Sequence, residues 1–221
     1  MMTRRIKLIT SVLFMLVCAV LSAQNVIDWK VAELPHVQKI EGKPQMVATS
    51  LGNAVTFSGS DAYFLNINPL KGLSQFTLEA IFKPDGDGEF EQRFLHLGTL
   101  SERVMFEIRV NRDSTWYFDT FLALPDGRRG LVMIDEKLTH PTDRWYHVAL
   151  VIDGTRAMVY INGVLEFDRP LGFVPINEGI TSIGARQNLV SWFKGSMYRL
   201  RISPRPLKIN EFLNDHQVLN Q

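Results

Sequence analysis

Residues 145–163 read WYHVALVIDGTRAMVYING, and no other run of the chain narrows its fold so far. Tyr146, Val148, Leu150 and Ile152 alternate with His147, Ala149 and Val151, the period-two spacing of a strand with one buried face. Asp153-Gly154 follows, a pair suited to a two-residue type I′ turn because Gly takes positive φ freely and Asp more readily than most. Pairing then follows by counting outward from the turn. Ile152 is expected opposite Thr155, Leu150 opposite Ala157, Val148 opposite Val159 and Tyr146 opposite Ile161, with His147 across from Tyr160 on the other face.

The same grammar recurs along the chain as short alternating runs punctuated by Gly, Pro, Asn and Asp, without low-complexity tract, heptad or internal repeat. Strands are expected at Ala54 to Phe57, Ala62 to Asn66, Phe76 to Lys83, Arg93 to Leu97, Arg103 to Val110 and Trp116 to Leu122. Further strands are expected at Gly130 to Ile134, Trp145 to Ile152, Ala157 to Ile161, Thr181 to Ala185 and Gly195 to Ile202. Many short strands with frequent turns mean an all-β sandwich or barrel. One helix is expected, Pro206 to Leu213, closing an end of the sandwich with Leu207, Ile209, Phe212 and Leu213.

Composition fits one globular domain with a sizeable core: 221 residues, 46% hydrophobic and 21% charged. Its first stretch is expected to lie outside that domain. Arg4, Arg5 and Lys7 precede an apolar run from Leu8 to Leu21, and Ser22-Ala23 supply small residues before Gln24. Residues 1–23 therefore read as a secretory signal peptide and 24–221 as the domain. The apolar run is shorter than the ~20 residues of a spanning helix, so no transmembrane span is expected after cleavage. Cys18, the only cysteine, falls inside this segment behind Val17, an unsuitable neighbour for a lipoprotein signal. The expected destination is extracellular, periplasmic or the cell surface, where a disulfide-free chain must rely on its core. Cleavage takes the 24 basic and 23 acidic residues to 21 and 23, leaving no basic footprint for nucleic acid.

Four stretches, in order, resemble the laminin-G-like jelly-roll domains of the concanavalin A-like lectin/glucanase superfamily. Phe57-Ser-Gly-Ser-Asp61-Ala-Tyr63 is similar to the opening strand and turn, and Phe76-Thr-Leu-Glu-Ala80-Ile-Phe-Lys-Pro84 to the next long strand. Trp145 to Leu150 through Asn162-Gly163 resembles the family's most recognisable hairpin, and Phe193-Lys-Gly195 through Arg201-Ile202 its closing strand. Ile81 stands where the family often has Trp, and Tyr198-Arg199 replaces a frequent acidic pair. The resemblance implies a two-sheet antiparallel jelly-roll β-sandwich. It also implies a choice among glycan-binding modules, glycoside hydrolases, polysaccharide lyases and adhesion domains, which fold alone does not make.

Side chains opposite the core must decide. If Arg103 to Val110 pairs with Trp116 to Leu122 so that Val110 faces Trp116, the inward pairs are Ile108 with Phe118, Phe106 with Thr120 and Val104 with Leu122. Arg109 then lies opposite Tyr117, and Glu107 opposite Asp119. A slip of two residues would instead set Glu107 against Tyr117. Facing carboxylates repel unless Arg109 neutralises them, a cation sits between them or one keeps a proton. Glu107 and Asp119 thus read either as acid and base for glycoside cleavage or as an ion network around Arg109. The Glu-x-Asp-x-Glu strand motif of many glucanases of this fold is absent from the sequence, as is an alginate-lyase-like signature.

His147 with Tyr160 forms a candidate proton-transfer pair for β-elimination, with Arg109 or Arg186 holding a uronate carboxylate and His96 nearby; the plainer reading is a satisfied half-buried pair. Trp116, Tyr117, Trp145, Tyr160, Trp192 and Phe193 are enough rings for a sugar-stacking platform, and Trp192, in the loop Gln187 to Trp192, is expected to be exposed. Asp85, Asp87 and Glu89 in Asp85-Gly-Asp87-Gly-Glu89 offer oxygen ligands for calcium, or a solvated turn. No zinc cluster, phosphate loop, nucleophile elbow or dinucleotide fingerprint is present. The combined expectation is a carbohydrate- or glycoconjugate-binding domain whose partner is an extracellular polysaccharide or glycoconjugate. A polysaccharide-active enzyme and a protein-binding adhesion module are the alternatives.

Overall fold

The computed structural model describes residues 25–125, 127 and 130–213; the expected signal segment lies outside them. Fifteen strands run through these residues: β1 Ile27–Lys30, β2 Val37–Glu41, β3 Gln45–Thr49, β4 Gly52–Ser58, β5 Ala62–Leu65, β6 Phe76–Pro84, β7 Glu91–Gly98, β8 Arg103–Val110, β9 Thr115–Ala123, β10 Leu131–Pro141, β11 Tyr146–Ile152, β12 Arg156–Ile161, β13 Val164–Pro170, β14 Ile180–Ile183 and β15 Lys194–Ser203. They form two antiparallel sheets, as the jelly-roll expectation requires. One runs β13-β12-β11-β6-β15-β4-β3 with β1 also on β15, and the other β10-β9-β8-β7-β14-β5-β2. The second sheet has seven strands and the first eight.

Alternation drives the packing between them. Val148, Leu150 and Ile152 of β11 and Phe106, Ile108 and Val110 of β8 all enter one core. Phe82 stacks on Phe94 with ring centroids 4.4 Å apart and meets Trp116 edge-on at 5.2 Å. Each such fully buried side chain is worth about 1.5–3 kcal/mol of transfer free energy.

The β11–β12 hairpin departs from the expected register. Ile152 pairs with Ala157, Leu150 with Val159 and Val148 with Ile161, so Tyr160 faces Ala149 instead of His147. Asp153 causes the two-residue shift: its Oδ1 accepts the N–H groups of Thr155 and Arg156, each at 2.8 Å, lengthening the turn through a side-chain mimic of the backbone. A shift of two preserves which face each residue occupies, so the apolar set still points inward. Positive φ at both central residues of a two-residue turn occurs instead at Asn162 (48°) and Gly163 (78°), where Ile161 faces Val164.

The expected helix is a single 3-10 turn, Ile209–Glu211, within an extended strap. A helix from Pro206 would have donated the Leu213 N–H to the Ile209 carbonyl; that N–H goes to Glu79 Oε1 at 2.7 Å. Thr77 holds the other end, accepting from Leu207 N at 2.8 Å. Leu207 and Phe212 pack on Ala149 and Val151, and Leu213 beside Ile81, Ala54 and Trp145. Strands β6 and β11 are consequently buried on both faces. Among the described residues no helix is long and apolar enough to cross a membrane.

Candidate functional site

With the eight-stranded sheet strapped over, the outer face of the seven-stranded sheet is where side chains of three strands assemble charge. The β8–β9 register is the one expected: Val110 faces Trp116, Ile108 Phe118, Arg109 Tyr117 and Glu107 Asp119. On the other edge of β8, Glu91 faces Arg109 and Arg93 faces Glu107. A row Arg93, Glu107, Asp119 therefore runs across three strands beside a row Glu91, Arg109, Tyr117.

Salt bridges explain how two carboxylates tolerate one another. Arg109 Nη2 lies 2.7 Å from Asp119 Oδ2, and Arg109 Nη1 lies 3.8 Å from Glu107 Oε2. Arg93 Nε lies 2.9 Å from Glu107 Oε2, although its N–H is not aimed at that oxygen, so the contact is Coulombic. Arg93 also pairs with Glu91 and donates to Ser191 Oγ. The Glu107 and Asp119 side chains are only 4% and 5% exposed. Burial pushes the Glu107 carboxyl up to about 7, with Asp119 adding to the effect and Arg93 and Arg109 opposing it. Asp119 is raised as well, by burial against the pull of Arg109 and Arg93. The ion-network reading and a proton retained near neutrality thus coexist.

These residues line a depression of about 260 Å³ bounded by Arg93, Arg103, Met105, Glu107, Arg109, Asp119, Phe121 and Val132. Arg103 stacks its guanidinium 4.6 Å from the Phe121 ring centre and donates to the Leu100 carbonyl at 2.6 Å. Among the described residues six buried side-chain polar atoms find no hydrogen-bond partner; Arg93 Nε, Arg103 Nε and Asp119 Oδ1 belong to residues of this depression, and Arg186 Nε, outside its lining, is another. His96, on the same sheet, is buried with Nε2 2.8 Å from the Thr99 carbonyl. That contact requires Nε2–H, leaving Nδ1 as the acceptor for the Gln187 N–H at 3.4 Å. Burial lowers His96 to about 4, so it is neutral.

The other sequence candidates are dispersed. His147 and Tyr160 lie on the outer face of the opposite sheet, so neither joins Glu107, Arg109 or Arg186. His147 Nε2 is 3.0 Å from Glu79 Oε1, which with Oε2 also takes Arg201 and the Leu213 N–H. Rings of His147 and Tyr160 both contact Phe212 of the strap. Burial alone would raise Glu79, but its bonds from His147, Arg201 and Leu213 hold it below the ordinary carboxylate range. The stacking platform does not assemble either. Trp116 and Phe193 are core, Trp145 and Tyr117 are buried, and Trp192 is half-buried against Ala62, Phe64 and Ala185. Asp87 is bonded to Lys194 Nζ at 2.6 Å and Asp85 is 4.0 Å from Lys83. Among the described residues, Asp85 and Glu89 included, no three His, Cys, Asp or Glu side chains gather as a metal cage.

Arg93 and Arg103 were not singled out by the sequence reading. Arg103 shares the outward parity of Glu107 and Arg109, a signal already in the alternation. Arg93 does not: a bulge between Arg93 and Leu95 puts both Phe94 and Leu95 in the core and reverses the parity ahead of it.

A laminin G family model described as "Concanavalin A-like lectin/glucanases superfamily" matches residues 57–211. The chain belongs to that superfamily. No curated protein sequence matches it. Among solved structures, domain 4 of AbnA, a GH43 extracellular arabinanase from Geobacillus stearothermophilus in complex with arabinotriose, is similar at 19% identity and TM-score 0.55, over 88% of this chain and 86% of that one. The CBM40 of Ruminococcus gnavus IT-sialidase, bound to α2,3 sialyllactose, is similar at 20% identity and TM-score 0.54, over 72% of this chain and 93% of that one. The receptor-binding domain of botulinum neurotoxin C/D mosaic serotype gives 15% identity and TM-score 0.59, over 85% of this chain and 45% of that one. At these identities the superfamily member shares a fold with them and nothing finer.

Proposed function

We propose that this jelly-roll domain binds carbohydrate on the outer face of its seven-stranded sheet. One contrast carries the reading: the hollow on the other sheet is walled by the strap's own Ile209, Asn210, Phe212 and Leu213, while this face holds an open depression lined by the charged Arg93, Arg103, Glu107, Arg109 and Asp119 with Phe121. Buried polar atoms without partners at its rim and floor suit hydroxyl-rich ligands, because each costs free energy until something bonds it. Similarly folded domains that carry arabinotriose and sialyllactose support the same class. The basic-then-apolar pattern of residues 1–23 supports a site of action beyond the cytoplasm, in a periplasm or at a cell surface. A protein-binding module would call for a contiguous apolar patch instead of charged rows.

One observation favours a second reading, a polysaccharide-active enzyme: Glu107, raised to about 7, faces Asp119 across a ladder. Against it, Arg109 occupies Asp119 Oδ2 and Arg93 sits on Glu107. Affinity electrophoresis of the purified protein in gels containing neutral or acidic polysaccharides tests binding, and mass spectrometry of the incubated polysaccharides tests cleavage. Retardation that Phe121→Ala abolishes, without released products, is the expected result. Products lost on Glu107→Gln would establish the enzyme, and no retardation in any gel would refute carbohydrate binding.

A further inference from the structure

Charge on this sheet and at the depression's edge, where Gln187 bonds Gly98 opposite Arg103, is unevenly shared. Glu91 and Glu107 attend Arg93, and Asp119 attends Arg109. Arg103 and Arg186 receive no carboxylate among the described residues, and the Nε of each is buried without an acceptor. The two also act on one another: burial lowers Arg103 first, the charges of Arg186 and Arg93 lower it further, and Glu107, too far for a salt bridge, offsets this only in part. A like-charge pair in a partly desolvated place is unfavourable until an anion enters. His96 beside them is neutral, so it neither supplies nor removes charge.

The arrangement is also held in advance. Stacking on Phe121 fixes the plane of the Arg103 guanidinium, and its bond to Leu100 fixes the far end. The backbone carrying Arg186 is anchored where Gln187 Nε2 donates to the Gly98 and Ile180 carbonyls at 3.0 and 2.9 Å and Gln187 N–H meets His96. Planar guanidinium forks match a planar carboxylate with paired N–H···O bonds, which a neutral sugar hydroxyl cannot return.

We propose that the carbohydrate recognised here is a carboxylated one, a uronic or sialic acid type of sugar, with its carboxylate received by Arg103 and Arg186. This rests on the carbohydrate reading above. Sulfated sugars share the negative charge but not the planar two-oxygen geometry.

The test compares acidic glycans with the same glycans after carboxyl methyl-esterification: oligogalacturonate, oligoguluronate and sialyllactose, with a sulfated galactan as a separate arm. Isothermal titration of the purified protein is the readout. Esterification is expected to weaken the bound glycan by about tenfold or more, the worth of charged hydrogen bonds. The double variant Arg103→Gln with Arg186→Gln is expected to weaken the acid by about tenfold and the ester by much less, so that the preference for acid over ester collapses. Arg103→Lys keeps the charge and should fall between them, and a retained melting temperature shows that each variant folds. Equal affinity for acid and ester, or an acid affinity untouched by the double variant, overturns the carboxylate assignment while leaving carbohydrate binding intact. Preference for the sulfated galactan over every carboxylated glycan also overturns it. Failure of every glycan, esters included, refutes the parent reading together with this one.

Discussion

Arg109 reaches Asp119 Oδ2 at 2.7 Å while standing 3.8 Å from Glu107 Oε2, so a single guanidinium spans two carboxyls that a β-ladder sets face to face. Removing it exposes what it suppresses. Arg109→Gln is expected to destabilise the protein by about 3 kcal/mol, the usual cost of leaving a buried charge unpaired. Adding Asp119→Asn should recover a substantial part of that loss, a coupling read from urea denaturation of the double-mutant cycle. Strict additivity would mean that the two residues do not interact energetically.

Glu107 makes stability depend on pH in an unusual direction. Its carboxyl rises from 4.5 to about 7 on folding, so between these values the folded protein holds a proton that the unfolded chain has released. Stability must therefore fall as pH climbs through that window, by up to about 1.4 kcal/mol per unit of displacement. Asp119, raised in the same sense, adds to the trend. Glu107→Gln has no proton to lose. Denaturation midpoints at pH 5 and pH 8 should drop more in the wild type than in this variant, and parallel profiles would dismiss the effect.

Phe82 touches Phe94, Trp116, Tyr146 and Phe193, linking both sheets at one point. Phe82→Ala is expected to cost about 3–5 kcal/mol from lost transfer energy and the cavity left behind. Calorimetric melting reads this directly; a loss under 1 kcal/mol would mean that the centre of the sandwich recloses.

Asn162 and Gly163 carry the tight turn between β12 and β13. A Cβ at Gly163 would meet only Ile209 Cγ2 at 3.7 Å, so space is not the obstacle. The backbone is: Gly163→Ala at φ 78° should cost about 1–2 kcal/mol. Asn162→Ala should add the loss of the side-chain acceptor for the His147 N–H, a bond of 2.9 Å. Amide exchange at His147 should then accelerate, whereas unchanged protection would show that Asn162 serves the turn alone.

Comparison of these elements with the bare sequence shows what alternation encodes. The β8–β9 ladder was legible because both strands keep an unbroken period of two, and with it the meeting of Glu107, Asp119 and Arg109. The hairpin after Ile152 was misplaced because Asp153 binds backbone with its side chain, an option that residue spacing does not reveal. Strands β1, β2, β3 and β13 went unseen for a different reason. Exposed residues predominate along β2, β3 and β13, so no long apolar stripe announces them, and β1 is only four residues long, with Ile27 and Trp29 alone packed on the core. The strap has helical spacing of its apolar residues, yet Glu79, distant in sequence, claims the N–H that decides its shape.

That claim gives the sandwich a front and a back. Strand β1 and the strap both lie on the eight-stranded sheet, so the first and last described residues gather on one side like the grip of a tool. Neither β1 nor the strap contributes a residue to the depression on the opposite sheet, so the segments that fasten one layer and the side chains that shape the other can vary independently.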